Sequence, residues 1–341
     1  MKKLLFISGL LISAFAGAQE TCGLQQAKYD QPDLILRNGF EGNLVVQAKG
    51  GGLGPPLAIV NPPTLGIAPT ITITSPIAGA TFAGAVQVQG TFTGPANTGI
   101  SVLGVAATVI GNQFVSEPLQ LTAGSIDLVA RAKTLDGLSA TRNISVSVSA
   151  APAQDFEISL SSRVGFAPFR LKPRIGVRGI TGIQSVAIDF NGDGNNDYTG
   201  AIENIPFYVY SNPGVYKLRI ILTTPSQTLT RFRTLAVPGV PEIRAQACSV
   251  YAHLRARLTA NDSAGALQAI AQPLRGQMSE LFDALGANRP AFAARLGTMA
   301  NGIFTPVNAE IMLVNEVGAD LQGAAMHMTR GGDGVWRIDS L

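Results

Sequence analysis

Histidine, tryptophan and cysteine are nearly absent: two, one and two among 341 residues. The chain also lacks the motifs that carry common chemistries. It has no Gly-x-Ser-x-Gly elbow, no His-Glu-x-x-His helix and no Gly-x-x-x-x-Gly-Lys-Ser/Thr loop. The glycine-rich run Gly50-Gly51-Gly52-Leu53-Gly54 leads into Pro55-Pro56 instead of a helix, so it has no helix N-terminus with which to cradle phosphate. Charge is sparse, at 14% of residues, and without Lys2 and Lys3 the balance is 23 basic against 22 acidic side chains. Nucleic-acid binding rests on basic patches, and this balance supplies none. Apolar runs are short as well: none past the first residues reaches the roughly 20 needed to span a bilayer as a helix.

What is present begins with an export signature. Lys2 and Lys3 precede an apolar stretch from Leu4 to Phe15, and Ala16-Gly17-Ala18 supplies the small residues that signal peptidase requires. Residues 1–18 therefore read as a signal peptide cleaved before Gln19. Cys22 follows Gln19-Glu20-Thr21 and has no lipobox, which leaves a soluble exported chain with no membrane span, periplasmic, cell-surface or secreted. In such an oxidising space Cys22 and Cys248 either bridge each other, closing a long loop worth about 4–5 kcal/mol, or remain separate thiols, or pair with another chain.

Glycine and proline, 38 and 20 residues, mark the joints. After an arm at 19–48, residues 49–69 form a linker of glycines, Pro55-Pro56 and Pro62-Pro63, which neither helix nor central strand accommodates. Residues 70–149 show short strands at near-regular spacing, with strict alternation at Val86-Gln87-Val88-Gln89-Gly90-Thr91-Phe92. Ser75-Pro76, the Val86 strand, Val105-Ala106-Ala107-Thr108-Val109 and Asp136-Gly137 together resemble the bacterial immunoglobulin-like modules of secreted proteins. Residues 156–237 carry Gly165-Phe166-Ala167-Pro168, then Asp189-Phe190-Asn191-Gly192-Asp193-Gly194, then Tyr208-Val209-Tyr210-Ser211-Asn212-Pro213-Gly214-Val215-Tyr216. That order resembles the polycystic-kidney-disease (PKD) repeat, although Phe169 and Ile188 depart from its usual residues.

After Pro238-Gly239-Val240-Pro241, residues 243–341 change period. Ala247, Val250, Tyr251, Leu254 and Leu258 share a helical stripe, and Pro273 and Pro290 open two further helices. The period then falls to two around Ile311, Met326 and Val335-Trp336-Arg337-Ile338, with Asp333-Gly334 as a tight turn. Helices followed by a meander ending in this motif resemble the cone-shaped nuclear-transport-factor-two-like domain. The fold expected is thus multidomain: two all-β immunoglobulin-like sandwiches, then a small α+β domain, with proline–glycine joints between separately cored units.

The one concentrated set of oxygen ligands is Asp189, Asn191, Asp193, Asn195 and Asp197, on alternate positions with Gly192 and Gly194 between. Hard cations such as calcium suit that spacing. The acid that closes an EF-hand-type loop is missing, because Gly200 stands there, so a weak site of about 10⁻⁴–10⁻³ M is expected. The same residues also suit a polar turn. His253 is expected on the exposed side of its helix, and His327 opposite Met326 and Met328; they are a surface and a strand histidine, or they line a cavity with an acidic partner. The modules resemble ones that stiffen, adhere or contact polysaccharide or protein at the cell envelope, which points to a non-enzymatic binding, adhesion or scaffold protein whose last domain binds a ligand. The rivals are a hydrolase or isomerase seated in residues 243–341, and a subunit of an envelope complex.

Overall fold

The computed structural model describes residues 66–150, 152–161, 165–317 and 320–341. The leader at 1–18, the arm at 19–48 with Cys22, and residues 49–65 of the linker lie outside them.

Three hydrophobic cores organise the described chain. The first is enclosed by β1 (Thr70–Ser75), β2 (Thr81–Ala83), β3 (Gln89–Thr93), β4 (Gly99–Val102), β5 (Val105–Ala106), β6 (Thr108–Ile110), β7 (Gln113–Val115), β8 (Gly124–Lys133) and β9 (Ser139–Ser149). These form two sheets, ordered β1-β3-β7-β6 and β2-β9-β8-β4-β5. Period-two alternation explains the packing: Val88 and Phe92 turn inward onto Ile100, Phe114 and Leu128, while Thr93 faces water.

The second core is enclosed by β10 (Asp155–Leu160), β11 (Phe169–Leu171), β12 (Pro173–Arg178), β13 (Ser185–Asp189), β14 (Tyr198–Gly200), β15 (Tyr208–Tyr210), β16 (Gly214–Thr223) and β17 (Thr228–Val237). A four-stranded sheet, β14-β13-β16-β17, is joined by two ribbons, β10-β12 and β11-β15. Phe156, Leu171, Ile188, Tyr210 and Leu218 bring every one of these sheets into the same core.

The third unit opens with α1 (Val240–Thr259), α2 (Ser263–Gln268), α3 (Gln272–Leu285) and α4 (Arg289–Arg295). A proline stands in the first turn of α1, α3 and α4, where its missing N–H costs nothing because that donor has no intrahelical partner. Gly286, at φ 51°, ends α3. The meander β18 (Thr298–Phe304), β19 (Asn308–Val317), β20 (Asp320–Arg330) and β21 (Trp336–Ser340) follows as one antiparallel sheet. Its inward residues Ile311, Met326, Trp336 and Ile338 pack on Leu254 and Leu258 of α1 and Phe282 of α3. The architecture is two β-sandwiches followed by a small α+β unit.

The joint between the second sandwich and α1 is held by contacts. Pro238 accepts a hydrogen bond at its carbonyl from the Ala167 N–H at 3.1 Å, and Gly239 is the N-cap of α1. A Cβ at Gly239 would lie 2.9 Å from the Pro213 ring. The proline–glycine joint is a packed corner.

Candidate functional site

Four of the five candidate ligands of the acidic loop, Asp189, Asn191, Asp193 and Asp197, already accept hydrogen bonds within the protein. Asp189 ends β13 and is 2% exposed. Its carboxylate accepts the N–H groups of Gly192 at 2.7 Å and Gly194 at 3.0 Å, and lies 3.4 Å from the Arg219 guanidinium. Asp197 accepts the Phe190 N–H at 2.7 Å. Asp193 accepts from the Asn195 N–H and from the Asn191 amide, at 2.8 and 3.1 Å, and the Asn195 hydrogen bond holds its carboxyl below the usual range. Gly192 and Gly194 take φ of 81° and 96°, left-handed values that suit glycine. Arg219 also donates to the Gly194 carbonyl and to Asn196 Oδ1, at 2.9 and 3.2 Å.

Calcium takes about six to eight oxygens converging on one point. In this arrangement Asp189, Asn191, Asp193, Asn195 and Asp197 do not fit it. Asp189, Asn191, Asp193 and Asp197 are spent on backbone N–H groups, and Arg219 supplies the positive charge. Among the described residues no three Asp, Glu, His or Cys side chains converge as a cation site. The spacing belongs equally to a run of Asx turns, and sequence alone does not separate the two.

Residues 207–210 of the second sandwich divide by strand alternation. Tyr208 and Tyr210 turn inward, with Tyr208 stacked on Phe190 at 4.6 Å and Tyr210 tilted against Tyr216 at 4.6 Å. The Tyr210 hydroxyl donates to the Phe190 carbonyl at 2.9 Å, and burial pushes its pKa up. Phe207 and Val209 are the residues that face water.

His253 is not exposed. It is 1% accessible, because α2 packs over that side of α1, and its Nε2 lies 2.9 Å from the Gly265 carbonyl oxygen. Burial lowers its pKa, and nearby Arg257 adds to this; the Gly265 hydrogen bond, Asp136 and Asp262 oppose it. His327 is half-buried and sits opposite Glu310 in the β19–β20 ladder. The helix-facing side of that sheet is filled by Trp336, Phe282 and Met326. Cys248 is buried in α1, and no cysteine among the described residues is a free thiol; its proposed partner Cys22 lies outside them.

What sequence reasoning missed is a junction built by two amide side chains of the first sandwich. Asn97, at φ 64° and 3% exposed, donates from Nδ2 to the Trp336 carbonyl at 3.0 Å. Its Oδ1 accepts the Trp336 N–H at 2.9 Å. The side chain thus stands in for a neighbouring strand, 239 residues away in sequence. Gln87 does the same to β17: its Nε2 donates to the Thr234 carbonyl at 3.0 Å, and its Oε1 accepts the Thr234 N–H at 2.8 Å. Arg233 of β17 pairs with Glu117 at 3.1 Å.

Around Asn97 the fit is close. A Cβ added at Gly99 would lie 2.3 Å from the backbone of Gly334 and Val335, and one at Gly334 would lie 2.6 Å from the Ile100 nitrogen. Leu135, from the β8–β9 loop, is 5% exposed and belongs to the core of the third unit. Lys133 reaches Asp333 at 3.1 Å, and Arg337 reaches it at 2.8 Å. Burial pushes the Asp333 carboxyl up, but the hydrogen bond and charge of Arg337, the Val335 N–H and Lys133 outweigh it and hold the pKa at about 2. Arg330 donates to the carbonyls of Gly334, at 3.1 Å, and of Ala107; burial lowers its pKa to about 10. A crevice where the three units meet, lined by Val109, Pro238, Ile243, Pro306 and Arg330, admits no more than about one water.

No family model matches the chain, and no curated protein does. Among solved structures it is similar to the fibronectin(III)-like modules of Clostridium thermocellum CbhA, at 16% identity over 50% of this chain and 96% of that one, with a TM-score of 0.21. It is also similar to the Ig1-2 module of the Drosophila receptor protein tyrosine phosphatase DLAR, at 10% identity over 50% and 99%, TM-score 0.21. Latent PorU from Porphyromonas gingivalis matches at 9% identity over 51% and 20%, TM-score 0.28. At these values the likenesses say nothing about what the chain does. Its own sheets make it a multidomain protein of the immunoglobulin-like β-sandwich class with an appended α+β unit. No helix among the described residues is long and apolar enough to cross a membrane.

Proposed function

We propose that this chain is an exported, non-enzymatic adhesion or scaffold protein of the cell envelope, in which both sandwiches and the α+β unit act as one stiff body. The observation that carries this reading is the pair of amide clamps, Asn97 on Trp336 and Gln87 on Thr234. A chain that only needed to space two ends apart gains nothing from buried hydrogen bonds between its first and last units. A chain that must present a surface in fixed geometry does. The filled helix–sheet core of the third unit and the self-satisfied acidic loop support the same reading, as both spend their side chains on structure.

The test is adhesion. Beads coated with the purified chain are expected to be retained by envelope fractions of the producing cells, and beads coated with heat-unfolded chain are not. Absence of retention sinks the reading. The catalytic rival places His327 and Glu310, opposed on the half-buried outer face of the sheet, in an acid–base role. Turnover of an ester or glycoside panel that is lost in His327→Ala would favour it instead.

A further inference from the structure

Residues 169–174 run as one extended segment that leaves β11 and enters β12. Phe169, Leu171 and Pro173 point inward and are buried, whereas Arg170 and Arg174 are exposed and Lys172 is half-exposed. Alternation therefore puts the three cations on one outward side of the chain, where it passes from the β11-β15 ribbon to the β10-β12 ribbon. Other cations of this sandwich have acidic partners, Arg178 and Arg231 with Asp155, Arg219 with Asp189 and Arg233 with Glu117, and Lys217 lies 4.6 Å from the Phe232 ring centre. Among the described residues Arg170, Lys172 and Arg174 meet no carboxylate at ion-pair distance. An apolar strip flanks the row. Phe207 is 51% exposed, with the Arg170 guanidinium 4.0 Å and the Lys172 ammonium 5.9 Å from its ring centre. Val209, opposite Arg170 in the β11–β15 ladder, is 49% exposed.

We propose that this row is a docking surface for an extended acidic polypeptide, whose alternate carboxylates pair with Arg170, Lys172 and Arg174 while an apolar side chain packs on Phe207 and Val209. The inference rests on the adhesion reading and deepens it by naming a partner. Two features select this occupant. Acidic side chains on alternate positions of an extended peptide fall on one side of its chain, as these three cations do on theirs, and the exposed Phe207–Val209 strip gives the peptide an apolar anchor that charge alone lacks. Such recognition falls with salt.

The experiment uses the whole chain and fluorescence anisotropy with two labelled peptides of equal composition. One alternates glutamate with threonine and ends in leucine; the other groups its glutamates in a block. The alternating peptide is expected to bind about tenfold tighter at low salt, since several exposed pairs of modest strength add up when in register. That advantage disappears in the combined variant Arg170→Gln, Lys172→Gln, Arg174→Gln, and Phe207→Ala weakens binding several-fold. Urea midpoints of both variants stay close to wild type, because Arg170, Arg174 and Phe207 are exposed and Lys172 is half-exposed. Equal affinity for the two peptides, tight binding retained by the triple variant, or a peptide that turns helical when bound overturns the proposal. So does polygalacturonate displacing the alternating peptide more effectively than that peptide displaces itself. Each of these outcomes is read independently of retention by envelope fractions, so this docking row fails without taking the adhesion reading with it.

Discussion

Replacing Asn97 by alanine removes the acceptor and the donor that Trp336 meets at the junction. The N–H and C=O of Trp336 then lack partners beside a fully buried indole, and an unsatisfied buried polar group costs about 1–3 kcal/mol. The backbone adds its own cost, as Asn97 sits at φ 64° and a left-handed alanine loses about 1 kcal/mol that asparagine largely escapes. With two such groups, the loss for Asn97→Ala is therefore about 3–7 kcal/mol. Asn97→Gly keeps the backbone comfortable and loses about 2–6 kcal/mol, about 1 kcal/mol less than alanine, so glycine is the milder change although it removes more atoms. Set against a typical total of about 5–15 kcal/mol, either change is large. The chain contains a single tryptophan, and it lies at this junction, so urea unfolding followed by tryptophan fluorescence reads the site directly. Losses under about 0.5 kcal/mol for both variants, the range of ordinary surface substitutions, or a glycine variant less stable than the alanine one, refute the clamp.

The other predictions follow from the same contacts. Leu135→Ala is expected to cost about 2–5 kcal/mol and to shift the Trp336 fluorescence transition, because a residue of the first sandwich fills the core of the third unit; an unshifted transition denies that packing. His253 has a folded pKa below its ordinary value, so the unfolded chain binds the proton more readily, and stability falls as pH drops through about 6.5 toward the lowered folded value. His253→Gln flattens that part of a melting-temperature profile, and an unchanged slope rejects the assignment. Asp189→Asn leaves Arg219 beside a neutral group and costs about 1–3 kcal/mol. Millimolar calcium leaves the wild-type melting temperature where it was, and a calcium-dependent rise shows that the loop rearranges to bind the ion. Peptide mapping under non-reducing conditions is expected to recover Cys22 linked to Cys248, and two separately alkylated cysteines exclude the bridge.

Inside and outside were legible in the sequence because alternation and helical stripes depend on neighbours a few residues away. Val88 and Phe92 face the first core, Leu254 and Leu258 the third, and prolines mark the first turns of the helices. Asp333-Gly334 was readable as a turn for the same reason. Its fit against Gly99 was not, because those partners are more than two hundred residues apart. Gln87 occupies an outward position of an alternating strand, where a polar side chain is what any solvated surface would show. Asn97 lies in Pro95-Ala96-Asn97-Thr98-Gly99, where asparagine is the ordinary residue for a turn. His253 was misplaced because α2, which covers it, is too short to announce which face of α1 it will lie on.

The acidic loop shows the same limit at closer range. Alternating oxygens with interleaved glycines satisfy both a cation loop and a chain of Asx turns, since each needs short oxygen-bearing side chains aimed back at a tight backbone. The deciding residue is Arg219, on a strand reached only through the β13–β16 pairing, where Asp189 sits opposite it. A carboxylate so placed gains a fixed cation without recruiting one from solution. An ion would have to displace the guanidinium and at least two backbone hydrogen bonds before collecting its own ligands. The junction satisfies the backbone groups of Trp336 and Thr234 in the same manner, by amides presented to backbone in place of a strand. In both places the chain spends its few polar side chains on holding its own geometry. The Arg170–Lys172–Arg174 row departs from that habit, which is why partner recognition is sought there and not in the loop.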